Sequence, residues 1–369
     1  MSAIKERKNN IISQLIVYLH YIAIAALLFS LSSSYINPNQ LWLASLFGLA
    51  FPIIYILNFI IAIYLILRGK KRAIYSIIIL VIGFNQFNNY FHFMRVDIDK
   101  ANKENLISVI SFNVHNFSLY HSGTFDNSAQ KECFQFLENQ DADIICLQEF
   151  SYNGVNKYAS NVQLKHRLEA KGYYYESYFK PLNYKLFGMV TYSKYPIVNS
   201  GYFEQENSRK YGIYNDLLIY NDTVRVYNLH LESTKLTITE YSILEGQIDS
   251  TFNEKSKLVL IKLKQAIQIR AKQAEHIADH IQKCEYSKIV CGDFNDSPTS
   301  FTYHEIKNNL NDAFEKADKG FGKTYRSIFP TLRIDYIFAS KGFDIISYDE
   351  LRVNLSDHFP VKSNLRYIN

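Results

Sequence analysis

Five short clusters, each placed just after an apolar run, hold the residues that could bind a metal ion or move a proton: SFNVHNF, CLQEF, YNLHLES, GDFNDSP, and the C-terminal pair RIDYI and SDHFP. Taken singly they carry little, because an Asp or Glu after a strand is ordinarily a turn residue or helix cap. Taken together they suit one chemistry. Hydrolysis of a phosphate ester needs an in-line nucleophile, stabilisation of charge on the non-bridging oxygens and help for the leaving oxygen. Glu149 offers the hard oxygen that Mg²⁺ prefers, an ion usually held by one or two carboxylates plus substrate phosphate. Asp293 and Asn295, two residues apart at an extended strand end, point to the same side and can hold one water and one phosphate oxygen. His230 and His358 are imidazoles able to take or give a proton near neutral pH.

The elements that must position these groups follow from the pattern of apolar residues. LISVISFNV, DIICLQEF, FGMVTYSKYPI, IYNDLLIY, TVRVYNLHL, KIVCGDF, RIDYIFAS and the apolar part of FDIISYDELRV are β-branched or alternating runs bounded by polar segments, and read as strands. SAQKECFQFLENQ and the long Lys257–Cys284 segment show helical spacing between them. Strands interleaved with helices argue for a sheet-based α/β domain whose site lies at strand ends, with parallel and mixed pairing both open. Glu232–Ser256 is polar and long for a loop, and reads equally as a disordered insertion or a lid over substrate. Tyr173–Tyr175 with Tyr178 and Phe179 read as a packed sheet edge, or as a surface for stacking bases or touching a membrane.

In this order, and at these separations, QE, NxH, GDFN, IDYI and SDH resemble the endonuclease/exonuclease/phosphatase superfamily, which includes DNase I-like nucleases, inositol polyphosphate 5-phosphatases and neutral sphingomyelinases. The resemblance runs from about Leu106 to the C-terminus. It implies a four-layer α/β sandwich, two packed sheets with helices outside. It assigns Glu149 to the metal, with Asn113 beside it and Asp357 as a second or alternate metal contact; the ion is Mg²⁺, with Mn²⁺ as a substitute. It implies that His230 donates to the phosphate, and that Asn228 packs alongside as substrate contact or strand support. Asp335 matches the acid that bonds the SDH histidine, holding His358 in one tautomer. Asp293 would orient the nucleophile, while Arg270 and Gln273, three apart on one helix face, match a pair that supports the strands. His115, His121, His276, His280 and His304 match no family position and read as surface or structural residues.

The first quarter of the chain has a different character. Ile11 to about Ile36 is apolar and uncharged, long enough for the roughly 20 residues a membrane helix needs, and Leu41–Leu67 repeats the pattern. A third run from Ala73 decays into Asn85, Gln86, Asn88 and Asn89. The expected organisation is therefore a membrane segment over 1–94 with two or three transmembrane helices, a linker over 95–105 and a catalytic domain over 106–369. The basic flanks KERK and RGKKR fit the cytoplasmic side; with three spans the catalytic domain emerges outside the cytoplasmic membrane, and with the third run merely interfacial it stays in the cytosol.

Charge follows the same division. Seven of the 40 basic residues, but only one of the 35 acidic ones, precede Met94, so the net charge of +5 belongs to the membrane flanks. The rest is near neutral and lacks the broad basic surface on which non-specific nucleic-acid binding rests. Four cysteines with no CxxC pair argue against a disulfide framework or a zinc site. The expected function is Mg²⁺-dependent hydrolysis of phosphate esters, most simply a phosphodiester. The rival is an inactive relative serving as a membrane-anchored binding module, against which stands the fact that every metal and imidazole position is filled. Glu149-Phe150-Ser151 departs from the QE-Thr-Lys of AP-endonuclease relatives, leaving extracellular nucleic acid, a phospholipid or sphingolipid head group, or a soluble ester such as an inositol phosphate. No feature points to a protein partner.

Overall fold

The computed structural model describes residues 2–92, 104–117, 127–150, 162–179, 188–204, 210–237, 240, 252–327 and 332–368. Most of the expected linker, most of Glu232–Ser256, and His121 lie outside the described residues. The chain divides into two units, Met1–Tyr90 with Ser297–His304 and Phe91–Asp296 with Glu305–Asn369.

The first unit is helical: α1 (Ser2–Ser32), α2 (Pro38–Leu49), α3 (Phe51–Leu67) and α4 (Ala73–Asn88). Within α1, Gln14–Ser32 is long and apolar enough to cross a membrane; among the described residues it is the one helix that meets this standard unaided. The second apolar run is bent: α2 and α3 are together apolar and long enough to cross a membrane, but they meet at 57°. Pro52, in the first turn of α3, has no N–H to offer the preceding turn, which breaks the ladder there. Leu27, Leu31, Phe51, Tyr55, Ile79 and Tyr90 form the apolar core of this unit. Polar bonds join its helices, as in Asn58 Nδ2 to the Ala23 carbonyl at 2.9 Å. Thr299 is held within the same unit: Ser33 and Ser34 hydroxyls donate to its carbonyl at 2.7 and 3.0 Å, and its own hydroxyl donates to the Gly48 carbonyl at 2.7 Å.

The second unit holds two six-stranded mixed sheets. The strands are β1 (Phe91–His92), β2 (Leu106–Asn113), β3 (Ile144–Phe150), β4 (Tyr175–Phe179), β5 (Gly188–Ser193), β6 (Ile197–Glu204), β7 (Lys210–Ile219), β8 (Asp222–His230), β9 (Ser287–Asp293), β10 (Asn311–Asp312), β11 (Gly320–Phe321), β12 (Asp335–Ala339), β13 (Phe343–Glu350) and β14 (Val361–Tyr367). One sheet runs β13-β14-β2-β3-β5-β4 and the other β10-β12-β9-β8-β7-β6, while β1 and β11 form a small separate pair. Each large sheet has one parallel pair, β2 with β3 and β8 with β9, and is otherwise antiparallel. Its helices are α5 (Asn127–Glu138), α6 (Val162–Glu169), α7 (Phe252–Lys283) and α9 (Ala313–Ala317), while α8 (Phe301–Lys307) begins in the first unit and ends in the second.

Alternation within the strands builds the layers. Ile107, Val109, Ile144 and Cys146 of one sheet meet Val224, Val226, Ile289, Cys291 and Ile337 of the other in a fully buried core. The alternate residues Ile110, Phe112, Ile145 and Leu147 face the opposite way and bury Cys133, Phe134 and Leu137 of α5 and Leu164 and Leu168 of α6. On the outside of the second sheet, α7 places His276 and His280 against Tyr211 and Tyr227. Both faces of each sheet are thus covered, which is why β2 and β3 read as nearly unbroken apolar runs. The result is the four-layer arrangement of a DNase I-like sandwich. All four cysteines are free and buried.

Candidate active site

Strand register sets out the site. His230 pairs with Asp293 across β8 and β9, and Asp293 pairs with Asp335 across β9 and β12, so the three residues form a row on adjacent strands. Their alternation places all three on the inner side, continuing Val226, Cys291 and Ile337. In the facing sheet, Asn113 ends β2 on the inner side and its amide donates to Asp293 Oδ2 at 3.0 Å, bridging the two sheets.

Glu149 reaches the same cleft by a different route. Simple alternation in β3 would send it outward with Leu147. Instead its backbone is left-handed, with φ of 52°, and the β3/β5 register shifts between Leu147 and Phe150. A bulge of this kind re-aims a side chain, and it brings the Glu149 carboxylate to 3.0 Å from His115 Nδ1 and 3.4 Å from His230 Nε2. Burial presses the Glu149 carboxyl upward, but the hydrogen bond from His115 and the charges of His230 and His358 outweigh it and hold it at about 2.

The GDFN turn shows why its glycine is needed. Gly292 has φ of +140°, and a Cβ there would lie 2.0 Å from the Leu229 carbonyl oxygen. Asn295 does not continue the strand as its spacing implies: β9 ends at Asp293 and Asn295 is left-handed, with φ of 53°. The tight turn folds its backbone N–H onto Asp293 Oδ1 at 2.8 Å and its side-chain amide onto Asp293 Oδ2 at 3.1 Å. Two residues still converge, through a turn rather than through the pleat. Burial raises the Asp293 carboxyl to about 6 against the pull of His358, with Asp335 adding to the rise.

His358 Nδ1 lies 2.9 Å from Asp335 Oδ2, and its Nε2 lies 3.7 Å from Asp293 Oδ2. Burial alone would lower this imidazole; Asp335 and Asp293 outweigh burial and raise it well above its ordinary value. Ser356 donates to the Asn113 carbonyl at 2.8 Å and to Asp357 Oδ1 at 3.1 Å, tying the SDH turn, and Asp357 with it, to the end of β2.

Support comes from α7. Arg270 Nε donates to Asp296 at 3.0 Å and its Nη1 to the Glu232 carbonyl at 2.9 Å, while Gln273 Oε1 accepts the Glu232 N–H at 2.9 Å. One helix face therefore anchors the turns that follow both His230 and Asn295. Asn228 is fully buried, accepting from Gln148 at 2.7 Å and donating to the Val190 carbonyl at 3.0 Å. That is the geometry of strand support. His115 matches no family position, and the sequence signal for it is its place in SFNVHNF, two residues after Asn113; the structure puts it on Glu149. His276 and His280 bond tyrosines, and His304 rests on the Tyr35 ring.

The donors fit a hard divalent cation. Glu149 is a partly accessible carboxylate with Asn113 beside it. Among the described residues His230 Nε2 is buried without a hydrogen bond, 3.4 Å from the same carboxylate. Asp293, Asp335 and His358 also bring ligand atoms within 4.8 Å of one another. There the direct Asp335–His358 hydrogen bond already satisfies two of the three, so Glu149 is the better candidate ligand.

A family model, Endonuclease/Exonuclease/phosphatase family, matches residues 110–358, and the chain belongs to that family. A second model, Domain of unknown function (DUF8431), matches residues 13–90. Among solved structures, an endonuclease/exonuclease/phosphatase from Beutenbergia cavernae DSM 12333 is 17% identical, with a TM-score of 0.51 over 72% of each chain. The human Nocturnin catalytic domain with bound sulfate is 17% identical, with a TM-score of 0.49 over 76% of this chain and 98% of its own. Truncated Caenorhabditis elegans TDP2 is 18% identical, with a TM-score of 0.48 over 71% of this chain and 98% of its own. No curated protein matches the chain. As a member of this family the protein is a hydrolase of phosphoester bonds.

Proposed function

We propose that the protein is a membrane-anchored, Mg²⁺-dependent phosphodiesterase. The observation that carries this reading is the row His230–Asp293–Asp335 facing Glu149 and Asn113 across one cleft, with His358 set between two carboxylates.

Glu149, with Asn113 and Asp357, would hold the cation, which supplies positive charge to the phosphate oxygens and the leaving oxygen. Asp293, fixed by Asn113 and Asn295, orients the attacking water and takes its proton as the new P–O bond forms. His230 Nε2, without another hydrogen bond, donates to a non-bridging oxygen. His358, kept as imidazolium by the Asp335 carboxylate on its Nδ1, presents Nε2–H to the developing charge. The bond to the leaving oxygen breaks opposite the water, and that oxygen takes a proton from solvent and leaves as an alcohol.

Gln14–Ser32 would cross the bilayer, with the remaining helices completing the anchor. The basic flanks then retain the N-terminus inside and favour an extracytoplasmic catalytic domain; protease added to intact cells should remove that domain, and full protection would place it in the cytosol. The substrate would be an extracellular nucleic acid, a lipid head group or a soluble phosphate ester.

The decisive assay is release of nitrophenol from bis(p-nitrophenyl) phosphate by the full-length chain in detergent, with and without Mg²⁺. Stimulated turnover supports an enzyme. No turnover, together with Mg²⁺ binding that Glu149→Ala leaves unchanged, would sink the reading in favour of an inactive binding module.

A further inference from the structure

Beside the cleft, the pairing of β6 with β7 slips by one residue. Phe203 pairs with Gly212, but the next pair is Glu204 with Lys210, leaving Tyr211 as an extra residue on β7. Such a bulge changes which way the neighbouring side chains face. Tyr211 turns outward, stacking on Phe203 and bonding His276 of α7 at 2.5 Å. Lys210 is turned over the Tyr202 ring, its ammonium 3.2 Å from the centroid, and lies 3.8 Å from the centroid of Phe179. The two rings touch each other, 5.9 Å apart, and so join the edge strands of the two sheets.

This cluster lies at the end of the sandwich that carries the catalytic groups. Gly212 pairs with Leu229, so β7 runs on through the extra Tyr211 to Lys210 past the position opposite His230, and Lys210 reaches from there over Tyr202 of β6. In the other sheet, Phe179 pairs with Met189, next to Gly188, the partner of Phe150. Both strands thus deliver their residues to the level of His230 and Glu149. Among the described residues no ion pair joins a carboxylate to Lys210, and Glu204 lies opposite it on β6. A cation seated on two ring faces has lost part of its water, is attracted by the rings, and keeps its N–H donors for an anion.

We propose that Lys210, positioned by Tyr202 and Phe179, binds a second anionic group of the substrate, so that the enzyme prefers phosphate esters bearing another phosphate beside the scissile one. This rests on the phosphodiesterase reading for the identity of the reacting group, but its test does not need turnover. Calorimetric titration of the full-length chain in detergent, with Mg²⁺ present, compares fructose 6-phosphate with fructose 1,6-bisphosphate. The expected result is about tenfold tighter binding of the bisphosphate, a ratio that falls to about one in Lys210→Gln and is kept by Lys210→Arg. Equal binding of the two sugars by the unaltered chain overturns the proposal, as does a Lys210→Gln variant that retains the preference. Should Lys210→Gln fail to fold, a Lys210→Arg variant that folds but loses the ratio also overturns it. Failure of the aryl phosphodiester assay alongside an intact, Lys210-dependent ratio would instead remove the phosphodiesterase reading and leave the anion site standing.

Discussion

His358 donates Nδ1–H to the Asp335 carboxylate at 2.9 Å and turns Nε2 toward Asp293, 3.7 Å away. A carboxylate can only accept, so the bond fixes the proton on Nδ1 when the ring is neutral and adds Nε2–H when it is charged. The Asp335 charge also favours the imidazolium, which is the form able to stabilise phosphate charge.

His358→Ala and Asp293→Ala should each lower kcat by about 10²- to 10⁴-fold, with circular dichroism and thermal unfolding close to those of the unaltered chain. Asp335→Asn should fall in the same range, because an amide can face Nδ1 with either its oxygen or its NH₂ and no longer fixes the tautomer. Near-normal rates in any of the three would show that the site is misassigned.

Chelation by EDTA should abolish turnover, and Mg²⁺ or Mn²⁺ should restore it. Glu149→Gln should raise the Mg²⁺ concentration for half-activation by about tenfold or more, and His115→Ala, which removes the partner 3.0 Å from that carboxylate, should move it by a smaller factor. Titration of rate against Mg²⁺ measures both.

Gly292→Ala should destabilise the catalytic unit by about 3 kcal/mol or more. The new methyl would press on the Leu229 backbone, 2.0 Å away, at a φ of +140° that side chains rarely adopt. Denaturant unfolding of the variant checks this; a change under 1 kcal/mol would mean that the turn relaxes freely.

Glu350 gives the fold a pH dependence outside the site. Burial raises its carboxyl from 4.5 to about 7, although it accepts the Lys323 N–H at 2.8 Å. The unfolded carboxyl ionises first, so stability is greatest below about 4.5, falls by about 3 kcal/mol as pH rises to about 7, and is flat above. Glu350→Gln should remove this loss, unfolding at a higher temperature than the unaltered chain at pH 8 and at a similar one at pH 4.5.

Thr299 should matter to the helical unit. Thr299→Val removes the hydroxyl that donates to Gly48 and leaves that buried acceptor without this donor, at a cost of about 1–3 kcal/mol. Thermal unfolding in detergent of Thr299→Val beside Thr299→Ser, which keeps the hydroxyl, should separate the two.

Much of this molecule was legible in one dimension. An apolar, β-branched run is a local property, so β2, β3, β8, β9 and β12 could be read from the chain, together with the polar residues that end each of them. Motif order then pointed to Asn113, Glu149, His230, Asp293, Asp335 and His358. The aromatic run at Tyr175–Phe179 reads as a sheet edge, and β4 is the edge strand of its sheet; the partly exposed β6 lacked the apolar alternation that marks a strand and emerges only through pairing with β7.

What the sequence determined by itself was which chemical groups this protein brings to a phosphate, because residue type and order are written in the chain. Where those groups point was decided by tertiary structure. Glu149 faces the cleft through a bulge, Asn295 meets Asp293 through a left-handed turn, Lys210 turns inward through a slipped pair, and Pro52 bends an apolar run into two helices. Side-chain direction depends on backbone dihedrals and strand register, and both are settled by the neighbours that a strand pairs with, which lie up to hundreds of residues away along the chain.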